Sequence, residues 1–171
     1  MSPIDAIVNT LKTNTKHSVD EKLIRSAFTF AEKAHAGQKR RSGEPYITHP
    51  LAIAEHLARL KMDSKTIAAA LLHDVCEDTD ISHEEIKKLF GEEIHFLVEG
   101  VTKVNKLKYH GAERTSENLR KMFLAIAEDI RVVIIKLVDR LHNMKTLSAL
   151  PEAKQKRIAL ETLDIYAPLS Y

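Results

Sequence analysis

The segment TIAAALLHDVCED, residues 66–78, decides the fold of this chain of 171 residues. Its first half is almost wholly apolar, which predicts a helix that is buried on most of its sides. Four polar side chains follow at once: His73, Asp74, Glu77 and Asp78. If the helix continues through them, His73 shares a face with Glu77 and Asp74 shares one with Asp78, because each pair is four residues apart. Such groups are costly to bury beside an apolar helix unless something binds them.

Two interpretations of this polar cluster stay open at this point. One is a metal site, in which an imidazole and carboxylates serve as ligands. The other is a helix that simply ends here, with its acidic residues in solvent. Acidic residues at the carboxyl end of a helix oppose its dipole, so the second interpretation has an energetic cost of its own.

The residues on either side of the segment predict further helices. With only five glycines and five prolines, the chain is poor in residues that interrupt helices. Apolar spacing, capping residues and Gly or Pro boundaries predict helices at 20–36, 51–60, 64–78, 82–90, 92–101, 117–127, 129–148 and 151–167. The run RVVII at 131–135 has strand propensity, but the polar residues after it keep helical spacing, so we predict a helix there too.

These elements predict an all-α fold, with one compact helical bundle formed by a single domain over residues 1–171. Hydrophobic residues make up 44% of the chain and charged residues 29%, a balance typical of a soluble globular domain. Residues 1–19 are interpreted as an N-terminal extension. The polar and basic stretch 102–116 is interpreted as a mobile loop.

Charge and cysteine content exclude several classes of function. The formal net charge is +2 and the basic residues are dispersed, so we expect no nucleic-acid partner. The single cysteine, Cys76, excludes an internal disulfide framework and suits a reducing compartment. We find no secretory signal and no apolar run of membrane-spanning length, so we expect a cytoplasmic protein without a membrane partner.

Two other segments contain polar residues in positions that favour a site. PYITHP at 45–50 places His49 at the predicted entrance of a helix, where a histidine can also be a simple cap. On the predicted helix 129–148, polar residues form one stripe at spacings of three, four and three: Lys136, Asp139, Asn143 and Thr146. A buried polar stripe needs partners or a ligand, whereas a solvated stripe needs neither, and both interpretations remain open.

The histidines and aspartates of these segments form a mixed set of nitrogen and oxygen donors: His49, His73, Asp74 and Asp139. Such a set suits Mn²⁺, Fe²⁺ or Zn²⁺ better than Ca²⁺, and the absence of thiolates argues against a structural zinc site. Four protein ligands on an ion that prefers six leave positions for water and substrate, and the ion lowers the pKa of that water.

The order of a histidine, a His-Asp pair and a later aspartate resembles the HD superfamily of metal-dependent phosphohydrolases. Five motifs are similar to the N-terminal hydrolase domain of the RelA/SpoT alarmone enzymes: RRSGEPYITHP (40–50), LLHDVCEDTDI (71–81), FGEEI (90–94), VTK (101–103) and KLVDRLHNMKTL (136–147). The similarity runs in order over residues 20–171. The chain can be a domain of a longer enzyme or a small stand-alone hydrolase, and the closing ETLDIYAPLSY favours the first because it is similar to the segment that leads out of that domain.

This resemblance implies hydrolysis of the 3′-pyrophosphate of ppGpp and pppGpp, which gives GDP or GTP. It implies one Mn²⁺ ion held by His49, His73, Asp74 and Asp139. Glu77 and Asp78 match the catalytic carboxylates of the family. Five residues match those that bind the guanine nucleotide: Arg40, Arg41, Ser42, Asn143 and Thr146. The family usually has lysine at the position of Arg41, and arginine keeps the charge while adding a planar group that can stack.

Two alternatives to this function remain. The first is an HD phosphohydrolase that acts on another nucleotide, and the basic loop RRSGEPY argues against it because it suits a substrate with several phosphates. The second is a catalytically silent regulatory domain that only binds nucleotide, and the intact Glu77-Asp78 pair argues against that. In longer family members a synthetase domain follows the hydrolase domain, and we expect the same here.

Overall fold

The computed structural model describes residues 2–15, 18–105, 124 and 128–170. Within these ranges the chain forms nine α-helices: α1 (Pro3–Asn14), α2 (Glu21–Ala34), α3 (Thr48–Arg59), α4 (Ser64–Leu72), α5 (Val75–Asp78), α6 (His83–Phe90), α7 (Glu92–Asn105), α8 (Ile130–Lys145) and α9 (Glu152–Glu161). Short irregular helical turns follow α8 and α9. The described ranges contain no β-strand, only an isolated bridge between Lys39 and Pro45. The all-α prediction is confirmed.

The helix α4 lies at the centre of the molecule. All its residues from Thr66 to Leu72 are fully buried, as the apolar run predicts. The helices α2, α3 and α7 pack around it, and α8 packs against α3 and α7. The polar residues that follow α4 are therefore delivered to the interior of the bundle. In the part of the chain that the structure describes, no helix is long and apolar enough to cross a membrane.

Helix boundaries follow the capping residues of the sequence. The Asp20 carboxylate accepts a hydrogen bond from the backbone N–H of Leu23 and starts α2. Asp63 caps α4 and Ser82 caps α6 in the same way. Gly91 has a φ of +88°, which side-chain-bearing residues rarely adopt, and this residue separates α6 from α7. The run RVVII lies within α8 and is helical, as predicted.

The segment interpreted as an N-terminal extension contributes to the core. Its helix α1 buries four apolar residues, Ile4, Ile7, Val8 and Leu11, and packs mainly against α3. Spacings of three and four residues between them form one apolar stripe, which belongs against other helices and not in solvent. The helix is held at its start by a reciprocal hydrogen-bond pair between Ser2 and Asp5.

The prediction of a loop over 102–116 is wrong for residues 102–105, which are helical. They form the end of α7, where Val101, Thr102 and Val104 are buried. Residues 106–116 lie outside the described residues, as does most of the helix predicted at 117–127. The interpretation of 106–116 as a mobile loop stays a prediction.

The helix predicted through residue 78 is not continuous, and the sequence-based expectation is wrong in this detail. The helix α4 ends at Leu72, His73 and Asp74 form a turn, and the short α5 begins at Val75. Asp74 has φ and ψ angles of −94° and −9°, and its carbonyl oxygen accepts hydrogen bonds from the N–H groups of Glu77 and Asp78. The pairing of His73 with Glu77 on one straight helical face is therefore lost.

Candidate metal centre and substrate cavity

Four polar side chains meet at the carboxyl end of α4. The ligand atoms of His49, His73 and Asp74 all lie within 4.8 Å of one another. The fourth residue, Asp139 of α8, places its Oδ1 3.1 Å from Nε2 of His49. The same Nε2 is 3.5 Å from Oδ2 of Asp74. The structure thus brings together all four residues that the sequence predicts as metal ligands.

The environment of His73 shows that this cluster fits a cation. The side chain is fully buried, and its Nδ1 lies 2.8 Å from the carbonyl oxygen of Ala70. Nδ1 therefore carries the hydrogen and donates it, which leaves a lone pair on Nε2. Among the described residues this Nε2 has no hydrogen-bond partner, although Oδ1 of Asp74 is only 3.1 Å away. A lone pair facing a carboxylate oxygen is repulsive unless a positive charge lies between them, and either a metal ion or a proton supplies that charge.

The charges around His73 also favour a positive group here. Burial alone would lower the pKa of His73, but the carboxylates of Asp74 and Asp139 outweigh burial and raise the pKa to about 9. Burial would raise the pKa of Asp74, yet His73 holds that pKa at about 2. The pKa of Asp139 is also well below its ordinary value, against burial and because of Lys136. Both carboxylates are anions at neutral pH, and without a metal ion His73 takes up a proton.

Asp139 is buried and, besides His49, contacts two residues of its own helix. Its Oδ2 forms a buried ion pair with Nζ of Lys136, one turn earlier on α8. Nδ2 of Asn143 donates a hydrogen bond to Oδ1 at 2.7 Å. Burial would lower the pKa of Lys136, but Asp139 outweighs burial and raises it, so the ammonium group stays charged. The stripe on this helix is thus buried at Lys136 and Asp139, whereas Asn143 and Thr146 are partly exposed and line a cavity.

Two residues that sequence analysis missed contact the predicted ligands. Nδ1 of His142 lies 2.9 Å from Nδ1 of His49. The Tyr46 hydroxyl lies 2.8 Å from Oδ2 of Asp74 and 2.5 Å from Oδ2 of Asp78. Burial and these two carboxylates raise the pKa of Tyr46, so its hydroxyl keeps its proton. Tyr46 occurs in the quoted PYITHP motif, and the local signal for His142 is its position three residues after Asp139.

A cavity of 390 Å³ opens above the cluster. Asp74, Asp139 and His49 form its floor, and five basic residues line it: Lys39, Arg40, Arg41, Lys136 and Lys154. The predicted nucleotide-binding residues all line this cavity as well: Arg40, Arg41, Ser42, Asn143 and Thr146. The guanidinium of Arg40 lies 3.4 Å from the side-chain oxygens of both Asn143 and Thr146. The His–Asp cluster, which suits a cation, therefore lies beside basic cavity walls, which suit an anion.

Glu77 is not among the residues that line this cavity. Together with Asp78 it lines a separate opening, next to Gln38 and Thr79. Glu77 and Asp78 both belong to the short helix α5, which begins after the turn at His73 and Asp74. Asp78 remains connected to the ligand cluster through the Tyr46 hydroxyl. The catalytic roles of Glu77 and Asp78 stay predictions.

Residues 27–171 match the HD domain family. The chain therefore belongs to the HD domain family. Its relatives include a SpoT enzyme, in agreement with the RelA/SpoT resemblance of its motifs.

The chain is 59% identical over 149 residues to a probable guanosine-3′,5′-bis(diphosphate) 3′-pyrophosphohydrolase of Synechocystis, covering 86% of this chain and 20% of that protein. It is 53% identical over 151 residues to the bifunctional (p)ppGpp synthase/hydrolase SpoT of Escherichia coli, covering 88% and 22%. A GTP pyrophosphokinase of Myxococcus xanthus is 50% identical over 155 residues, covering 88% and 20%. The chain thus spans about a fifth of the length of these relatives.

A solved structure has the same fold. It is described as a metazoan ortholog of SpoT that hydrolyzes ppGpp and plays a role in starvation responses. The two folds superpose with a TM-score of 0.69 at 23% sequence identity, and the match covers 88% of this chain and 86% of that one. At this level of identity the match supports the all-α architecture.

Proposed function

We propose that this domain hydrolyses the 3′-diphosphate of ppGpp and pppGpp, releasing pyrophosphate and leaving GDP or GTP. The observation that carries the proposal is one cavity with a His–Asp cluster on its floor and Arg40 and Arg41 on its wall. The first arrangement suits a divalent cation, and the second suits a polyphosphate. The names of relatives at 53–59% identity support the same reaction.

His49, His73, Asp74 and Asp139 would hold one divalent cation, and we propose Mn²⁺. The lone pair of His73 Nε2 and the two ionised aspartates supply the donors that such an ion prefers. When bound, the ion supplies Lewis-acid chemistry: it polarises phosphoryl oxygens and lowers the pKa of water. Lys136 and Asn143 keep the Asp139 carboxylate anionic and oriented.

The basic wall binds and orients the nucleotide. Arginine can form two parallel hydrogen bonds to a phosphate and can also stack on a base, and Arg40 and Arg41 can divide these tasks. Asn143 and Thr146 fix the guanidinium of Arg40 from one side of the cavity. The substrate is thus held with its phosphates between the arginines and the His–Asp cluster.

Hydrolysis also needs proton transfer. Water attacks the phosphorus bonded to the ribose 3′-oxygen, and the bond between these two atoms breaks. The oxygen of the water becomes part of the released pyrophosphate, and the ribose 3′-oxygen takes up a proton. We assign this proton transfer to the pair Glu77 and Asp78, since carboxyl groups serve as general acids and bases. The hydrogen bonds through Tyr46 favour Asp78 as the member closer to the reaction.

The test is release of pyrophosphate from ppGpp by purified protein after its metal has been removed with a chelator. We expect GDP and pyrophosphate only after a divalent cation is added, with Mn²⁺ more effective than Mg²⁺ or Zn²⁺. GTP and dGTP in the same assay separate this activity from an HD phosphohydrolase of another specificity. Nucleotide binding without any product would indicate a silent regulatory domain, and full activity after exhaustive chelation would contradict the metal requirement.

We further propose that the domain works in the cytoplasm as part of a longer protein, beside a synthetase domain. Its match to a fifth of a bifunctional synthase/hydrolase supports this arrangement. The guanine nucleotide is then its small-molecule partner, and we expect no nucleic acid or membrane to bind the domain itself.

A further inference from the structure

His49 lies between the ligand cluster and a second histidine. Its Nε2 faces Asp139 and Asp74 at 3.1 and 3.5 Å. Its Nδ1, on the opposite edge of the ring, is 2.9 Å from Nδ1 of His142. The two rings are tilted by 52° with their centroids 4.9 Å apart, so a hydrogen bond and not stacking joins them.

A hydrogen bond between two imidazole nitrogens needs one donor and one acceptor. When Nε2 of His49 gives its lone pair to a cation, the ring hydrogen has to reside on Nδ1. His49 is then the donor of this hydrogen bond, and His142 has to accept with the lone pair of its own Nδ1. A group that accepts a hydrogen bond from a metal-binding histidine fixes both the tautomer and the orientation of the histidine ring.

We infer that His142 is the positioning residue of the metal centre, which accepts a hydrogen bond from His49 and so holds His49 ready to bind the ion. The inference rests on the metal-dependent function proposed above. His142 contacts the Nδ1 edge of the His49 ring, whereas the proposed ligands Asp74 and Asp139 lie at its Nε2.

The position of His142 on α8 strengthens this assignment. It follows Asp139 by three residues, so one turn of a single helix supplies a ligand and the residue that orients another ligand from α3. The buried side chains of Val132, Val133, Ile135 and Val138 fix that helix in the core. The hydrogen bond is therefore set by the packing of two helices and not by a loop.

The test is the affinity of the metal-free protein for Mn²⁺, measured by titration calorimetry. His142→Phe keeps a ring but removes the acceptor, and we expect Mn²⁺ to bind roughly 10- to 100-fold more weakly. His142→Gln offers an amide oxygen in place of the nitrogen and should restore most of the affinity. His56→Phe is the matched control, because His56 lines the small cavity next to His142 but not the substrate cavity.

Urea unfolding of each metal-free variant shows whether the substitution acts on the fold. If His142→Phe does not fold, His142→Ala replaces it in the same comparison. Wild-type affinity in the folded variant, or equal losses in His142→Phe and His142→Gln, would overturn the inference. If the wild type binds Mn²⁺ and His142→Phe does not, but neither releases pyrophosphate from ppGpp, the positioning role stands while the proposed reaction fails. If the wild type binds no Mn²⁺, both are wrong.

Discussion

The carboxylate of Asp139 contacts three groups: the ammonium of Lys136, the amide of Asn143 and the imidazole of His49. We expect Asp139→Ala to lose bound metal and pyrophosphate release together, and Asp74→Ala to do the same, since each removes a charged donor. Asp139→Ala also leaves Lys136 buried without its counter-charge, a change that costs on the order of 3–5 kcal/mol of stability. Elemental analysis of the purified variants measures the metal, and stoichiometric metal in either variant would refute the assigned ligands.

Glu77 and Asp78 are adjacent in sequence but differ in their connection to the site. We expect Asp78→Asn to lower turnover by about 10²-fold, the usual scale of general acid–base catalysis, with metal and substrate binding retained. Glu77→Gln should lower turnover less, because the Tyr46 hydroxyl joins the Asp78 carboxylate to that of Asp74. Single-turnover kinetics on both variants measures the difference. A larger effect of Glu77→Gln would assign the proton transfer to Glu77 instead.

The types of residue in the site could be predicted from sequence, but their hydrogen bonds could not. The four proposed ligands are recognisable because imidazoles and carboxylates recur in motifs of fixed order. Tyr46 and His142 act through contacts with residues 28 and 93 positions away, and no local pattern encodes such contacts. The absence of Glu77 from the cavity lining could not be predicted either, because it depends on how the helices pack around the cavity.

At the scale of helices, the crossing of α7 and α8 depends on a single glycine. A Cβ atom on Gly100 would lie 2.7 Å from Cγ2 of Val132, and valine in a helix has little rotamer freedom to move away. We expect Gly100→Ala to lower the free energy of unfolding by about 1 kcal/mol, because overpacking outweighs the better helix propensity of alanine. Urea unfolding measures this.

The matched background for this test is Val132→Ala, which removes the two methyl groups that the new Cβ would meet. In that background Gly100→Ala should raise the stability by up to about 1 kcal/mol, the propensity gain alone. A stabilising effect of Gly100→Ala in the wild-type background would show that α8 shifts without cost.

The helices themselves were largely predictable, because their caps and apolar spacing are local. The role of α1 was not, since an amphipathic helix of 12 residues acquires a place in the core only when α3 offers it an apolar surface. The match to the HD domain family begins at residue 27, after α1. The break between α4 and α5 was missed because helix propensity continues smoothly through His73 and Asp74.

For the whole molecule, the site makes stability depend on pH. The pKa of His73 is raised to about 9. Protonation of His73 therefore stabilises the folded protein fully below its ordinary pKa of about 6.5, and this stabilisation is lost as pH rises through 9. Burial lowers the pKa of His49, and burial also lowers that of His142 to about 4, so these two histidines cost stability as pH falls below 6.5. The pKa of Asp74 is lowered, so this residue causes a further loss of stability only as pH falls from about 3.8 through 2.

We therefore expect the melting temperature of the metal-free protein to be highest near pH 6.5 and to fall towards pH 8.5. Saturating Mn²⁺ should abolish most of the alkaline fall, because the ion takes the place of the His73 proton. Thermal unfolding across this pH range, with and without metal, measures both effects. An equally steep fall with the metal present would contradict this exchange of ion for proton.

The proposed ligands come from three separate parts of the bundle, namely α3, the turn after α4, and α8, so one ion would connect them. Opening any one of these parts would release the ion, and amide hydrogens in all three should therefore exchange with solvent more slowly once it is bound. At a metal concentration 100 times the dissociation constant, the expected slowing is about 100-fold for amides that exchange through such openings. The helix α6, which supplies no ligand and buries only Ile86, should change far less. Hydrogen–deuterium exchange would then detect the binding of one small ion as slower amide exchange in several helices at the centre of the domain.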